Sequence, residues 1–173
     1  MLRKLLLIFS CLFLILFSCS LIKINIIEKP VIYQTQKIRR ETPIGKLIIN
    51  KINLDEDLYS INSFNNNVNL HIKVLEDSTL PVEENSIMIL AAHSGTGKIA
   101  YFEDLDELSL NDNIILIYNN KPYYYRVNNI WEEKKNGYIH VDREEKRQLV
   151  LTTCHPKKPK YQLIINCIEK EST

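Results

Sequence analysis

The chain has 173 residues, 45% of them hydrophobic, and a formal net charge of +1, which is enough for one domain core once any N-terminal targeting segment is set aside. Residues 1–30 hold Arg3, Lys4, Lys23 and Lys29 against Glu28 alone, leaving 18 basic and 20 acidic residues for the remainder. A body so close to neutral offers no basic face that could neutralise a run of phosphates, and nucleic acid is excluded as a partner.

Residues 5–22, LLLIFSCLFLILFSCSLI, carry no charge. Eighteen such residues lie at the lower edge of what spans a bilayer, and Arg3 and Lys4 before them favour an N-terminus held in the cytoplasm. The expectation is a single-pass membrane anchor with the rest of the chain outside the cell. A cleaved signal peptide is disfavoured, because small residues at the usual spacing before a cut are not evident. Leu16-Phe17-Ser18-Cys19 resembles a lipobox, although Phe17 is bulky for its position. The uncleaved anchor is the favoured reading.

Residues 23–44 contain Pro30, Pro43 and a mixed QTQKIRR stretch with little apolar periodicity, and read as a stalk. The domain is expected over 45–173. Short β-branched runs at 46–52, 86–92, 113–118, 121–131, 148–153 and 161–169 read as strands. Asn119-Asn120 lies between two of them as the centre of a tight hairpin. Helical material is sparse: 65–76, where Val68, Ile72 and Leu75 fit one face, and a turn around 101–108. Asp55, Glu56 and Asp57 read as a solvated acidic loop rather than a calcium site. Many strands and few helices predict an all-β fold, a closed barrel or a sandwich.

Cys11 and Cys19 fall inside the apolar segment, so only Cys154 and Cys167 belong to the domain. That excludes a disulfide framework and leaves one bridge possible. Two places offer chemistry. In Ala91-Ala92-His93-Ser94-Gly95-Thr96-Gly97 an apolar strand ends in a histidine, and in Leu151-Thr152-Thr153-Cys154-His155-Pro156 another ends in a cysteine. An imidazole near a thiol can stabilise the thiolate and later protonate a leaving amine. His155 is the adjacent candidate, yet neighbours on an extended chain point to opposite faces, and it is expected to be exposed. A zinc site from Cys154, His155, His140 and Cys167 has no ligand spacing that supports it. No metal and no cofactor are expected.

The segments SIMILAAHSGTGKIAYFEDLDEL and QLVLTTCHPKKPKYQLIINC resemble the two signature regions of sortases, in that order and about sixty residues apart. In that family a strand ending A-H or G-H supplies the histidine and one ending T-L-x-T-C supplies the nucleophile. His93 and Cys154 fall on those positions, and Leu151 and Thr153 match, whereas Val150 stands where the first Thr is expected. The resemblance extends over residues 45–169. It implies an eight-stranded sortase-like β-barrel with short helices, following an N-terminal transmembrane helix. It further implies a cysteine transpeptidase that cleaves an LPxTG-like sorting signal of a secreted protein through a thioacyl enzyme. The acyl group would pass to an amine of a cell-wall precursor or of a pilin. Ser94 and Thr153, beside the reactive pair, are the candidate substrate contacts.

A second position departs from the family. Gln162 occupies the place of an arginine taken to bind substrate and stabilise the oxyanion. Of the two departures, Val150 and Gln162, this one bears on the chemistry: the amide can still donate hydrogen bonds but brings no charge, and Lys158 or Lys160 could supply the positive field. An anchoring role is preferred to pilus polymerisation, since no second apolar segment and no lid motif in 23–44 are seen. Two other readings stand behind this one. A chymotrypsin-like cysteine protease also runs His before Cys, but it surrounds the nucleophile with glycines that Thr153-Cys154-His155 lacks. A catalytically weak or inactive sortase-like surface binding module would account for Gln162.

Overall fold

Each of the six predicted apolar runs contains a strand, because each alternates or doubles its β-branched residues over a length that a pleated ribbon can bury; in the first, the strand stops at Ile49 and Asn50–Ile52 form a 3-10 turn. The computed structural model describes residues 41–170. The predicted anchor, 1–22, and nearly all of the predicted stalk lie outside them. The strands are β1 (Gly45–Ile49), β2 (Leu54–Leu58), β3 (Lys73–Val74), β4 (Ile87–Ala91), β5 (Asn113–Tyr118), β6 (Lys121–Lys134), β7 (Gln148–Cys154) and β8 (Tyr161–Glu169). They form one sheet in the order β2-β1-β5-β6-β8-β7-β4-β3. The edges meet through a parallel bridge between Leu58 and Ile72, so the sheet is a nearly closed barrel. Among the described residues no helix is long and apolar enough to cross a membrane.

The barrel interior is filled by residues such as Leu47, Leu90, Leu116, Tyr125, Leu151 and Ile165, all fully buried. A second, smaller apolar cluster lies on the outer face: Ile87, Val150 and Ile164, with Ile89, Trp131, Ile139 and Val141 packed against them. Strand β7 is therefore buried on both sides. Leu149, Leu151 and Thr153 face inward while Val150 and Thr152 face the outer cluster, as the period of two requires.

Asparagine does the work of glycine at the bends. Asn53, Asn85, Asn111, Asn119 and Asn120 are the non-glycine residues with positive φ among those described. Asparagine tolerates that left-handed region better than other side chains, which suits a chain with only four glycines. The predicted hairpin is found: Asn119 and Asn120 have φ of 48° and 62°, and Tyr118 pairs with Lys121 around them.

Three expectations need correction. Residues 65–76 form turns and the short β3, not a helix, and of Val68, Ile72 and Leu75 only Ile72 is buried. The cause is Asn66, whose buried side chain imitates a strand neighbour. Its Oδ1 accepts from the Val74 amide at 2.7 Å and its Nδ2 donates to the Val74 carbonyl at 2.9 Å. The acidic stretch 55–57 is not a loop either. It is the middle of β2, paired residue by residue with β1. The third correction concerns His155, described with the site below.

Since Asn66 satisfies both main-chain groups of Val74, Asn66→Ala leaves two backbone groups of an edge strand without partners. We expect it to lower unfolding free energy by about 2–3 kcal/mol, read as a lower urea midpoint with an unchanged slope.

Candidate active site

Strands β4 and β7 run parallel, with Ile87 opposite Gln148 and Ala91 opposite Thr152. Continued two residues past its last pair, the same register sets His93 beside Cys154. Side chains fasten the two strand ends together. Thr153 Oγ1 donates to the Ala92 carbonyl at 2.8 Å, and Ser94 Oγ donates to the Cys154 carbonyl at 2.7 Å. Both predicted substrate contacts are thus at the site, each with its hydroxyl committed to the main chain. Thr153 is buried on the inner face.

Cys154 is exposed and reduced at the end of β7, on the same face as Val150 and Thr152. His93 Nε2–H donates to Asn69 Oδ1 at 3.0 Å, and among the described residues Nδ1 has no hydrogen-bond partner. Asn69 was not among the residues read from the sequence. It lies 24 positions from His93, in a stretch read as helical, and no local pattern distinguishes it from the neighbouring asparagines.

His155 points to the face opposite Cys154, as alternation requires, but it is not exposed. Its side chain is 10% accessible, with Nε2 on Glu132 Oε1 at 2.6 Å and Nδ1 accepting from the Lys157 amide at 3.0 Å. Glu132 also pairs with the Lys158 ammonium. These two partners hold the Glu132 carboxyl below its usual range, the Lys158 hydrogen bond first and the His155 one second. Lys158 is thereby committed away from the face of Cys154, and Lys160 is exposed.

Gln162 is directly opposite Cys154 in the β7–β8 pair, and opposite Glu133 in the β6–β8 pair. Its side chain shares the outer face with Ile164, while Leu163 and Ile165 enter the core. Its NH2 group donates to Glu133 Oε1 at 2.8 Å and to the Tyr138 carbonyl at 2.9 Å. Glu133 Oε2 also meets His140 Nδ1 at 3.2 Å. Among the described residues no group of three or more His, Cys, Asp or Glu is placed to hold a metal ion.

The second cysteine is chemically distinct. Cys167 sits fully buried opposite Leu149, with its thiol pushed up by burial. Leu149 is five residues from Cys154 along β7, about 17 Å at roughly 3.3 Å per residue, far beyond the Cα separation of a disulfide. We expect an alkylating reagent to modify Cys154 in the folded protein within minutes and Cys167 only after denaturation. Mass spectrometry of the labelled peptides checks this, and equal labelling of both would contradict the placement.

The sortase-domain family model matches residues 47–169. No curated protein matches the chain. Among solved structures, sortase C1 from Streptococcus agalactiae is 26% identical with a TM-score of 0.65, covering 79% of this chain and 72% of that one. The sortase C1 of pilus island 1 from GBS is 24% identical (TM-score 0.66), and the alignment spans 76% of this chain and 66% of that one. Sortase A from Corynebacterium diphtheriae, in a lid mutant, is 20% identical (TM-score 0.68), over 81% and 77% of the two chains. With the family model spanning nearly all of the described barrel, the chain belongs to the sortase family.

Proposed function

We propose that this protein is a membrane-anchored, extracytoplasmic cysteine transpeptidase in which Cys154 is the nucleophile and His93 the acid–base group. The observation that carries this reading is the parallel β4–β7 register, which brings a histidine and an exposed cysteine out of the same end of the sheet. In the first half-reaction the Cys154 thiolate attacks the carbonyl of the scissile peptide bond, proposed to be the threonyl carbonyl of an LPxTG-like signal. The C–N bond breaks, and the leaving amine takes a proton from the His93 imidazolium. In the second, an acceptor amine attacks the thioester, gives its proton to His93 and releases Cys154 as thiolate. Because Asn69 accepts from Nε2–H, Nδ1 is the atom that carries the moving proton.

The acceptor is proposed to be an amine of a cell-wall precursor or of a pilin. Solved relatives of the chain include several sortases C, one of them described in relation to pilin substrate specificity in Streptococcus pneumoniae. The alternative, a catalytically weak surface binding module, draws on Gln162, whose amide hydrogens are both engaged away from Cys154.

Incubation with a labelled LPxTG-type peptide should trap a thioester on Cys154, and a chain that binds the peptide without forming one would favour the binding module. Cys154→Ala should abolish cleavage without unfolding the domain, while Cys167→Ala keeps activity. His93→Ala is expected to lower turnover by at least about a hundredfold. His155→Ala should be milder in turnover and cost stability instead, because it removes the partner of Glu132. The reverse ranking of the two histidines would displace His93 from its role.

The membrane arrangement is proposed from residues 1–22 and is tested by protease shaving of intact cells. External protease should remove the domain. A protected domain would reverse the topology, and a mature chain starting at lipid-modified Cys19 would replace the anchor by a lipoprotein.

A further inference from the structure

Three residues form one row across the outer face of the sheet: Glu133 on β6, Gln162 on β8 and Cys154 on β7, each directly opposite the next. Directly paired residues have Cβ atoms about 5 Å apart, so the Gln162 side chain could reach toward either neighbour. It reaches toward β6. An amide nitrogen carries two hydrogens, and here one goes to Glu133 Oε1 and the other to the Tyr138 carbonyl. Neither is left for an oxygen held at Cys154.

Those contacts act on the connection between β6 and β7, residues 135–147, which has no strand or helix of its own. A connection of that length needs anchors to hold one shape. Its far half is fixed by Gln148, whose side chain donates to the Asp142 carbonyl at 2.9 Å and accepts from the Glu144 amide at 3.0 Å. Its near half is fixed by the row beside the nucleophile. Tyr138 is held through its carbonyl by Gln162, His140 through its ring by Glu133, and Ile139 between them packs on Ile87, Val150 and Ile164. The near half therefore stands over the outer apolar cluster on the β6 side of Gln162, whose other strand neighbour is Cys154.

We propose that Gln162 is a positioning residue: with Glu133 it latches residues 138–140 as one wall of the groove in which the substrate peptide lies beside Cys154. This rests on the transpeptidase reading for the identity of the substrate, whereas the latch itself does not depend on it. Gln162 then contributes to substrate binding through the connection and not through a bond to the reacting carbonyl.

The test uses the full chain and combines hydrogen exchange over residues 135–147 with steady-state cleavage of a labelled LPxTG-type peptide. Gln162→Ala should speed exchange at 137–141 by about tenfold or more while β7 and β8 core amides stay protected, and should raise KM more than it lowers kcat. Glu133→Ala should do the same, serving as a second variant if the first is poorly folded. Gln162→Arg, whose guanidinium has donors for both Glu133 and the Tyr138 carbonyl, should return exchange to the parent rate. Unchanged exchange in Gln162→Ala overturns the proposal, whether turnover falls, which would make Gln162 a direct substrate donor, or stays the same, which would make it a bystander. If the parent chain cleaves no peptide, the transpeptidase reading fails, and the exchange data still decide the latch.

Discussion

The site depends on one strand pair running parallel in a sheet whose other pairs of named strands are antiparallel. In a parallel pair both chains leave the sheet at the same end, so a residue just past β4 and one at the end of β7 become neighbours with no help from loops. With the opposite orientation His93 and Cys154 would leave at opposite ends, about 17 Å apart for five residues at roughly 3.3 Å each. Parallel pairing requires a long crossover. The chain from Ala92 to Arg147 supplies it, and includes β5 and β6 on the way. The juxtaposition of His93 and Cys154 is thus a product of topology, and the Thr153 and Ser94 hydroxyl bonds to the Ala92 and Cys154 carbonyls only fasten the two strand ends.

Such a pair also needs a rigid floor, and β7 provides one by being buried on both faces. Inward, Leu149 and Leu151 belong to the barrel core, and outward, Val150 belongs to the second cluster with Ile87 and Ile164. A strand clamped on two sides has little freedom to slip in register, since a shift of one residue would exchange the faces of every side chain. Cys154 is the first residue of β7 to emerge from this clamp. The same alternation sends His155 to Glu132, on the face opposite Cys154.

Much of this was legible in the sequence because the informative signals were local. The six strands announced themselves by β-branched runs, and the hairpin by Asn119-Asn120. His93 and Cys154 were visible because one follows and the other ends an apolar strand within a recognisable motif. What was not legible depended on distant partners. Strand β2 reads LDEDL, which no propensity argument favours, and it exists because β1 lends it a hydrogen-bonded edge. The helical reading of 65–76 failed because periodicity could not reveal that Asn66 would turn its side chain into a substitute backbone for Val74. Asn69 was missed for a related reason, its role being defined only by a ring from another segment. The exposure expected of His155 was wrong because Glu132, 23 positions away, was not foreseeable as its cover.

Among the described residues the near-closure of the barrel leaves β2 with an outer side that no other strand fully covers, an edge on which a further strand could pair. The residues of β2 make that addition unfavourable. Asp55 and Asp57 flank Glu56, which is opposite Leu47 and so is an inward-directed acid between Leu54 and Leu58. Burial pushes its carboxyl above the usual range, partly opposed by His71. An incoming strand would have to pair against three consecutive acids and strip water from a carboxyl already short of it. Charge on an edge strand, and an inward charge above all, guards against edge-to-edge aggregation. The stretch that weakens β2 as a strand is thus the same one that makes edge-to-edge pairing there unfavourable.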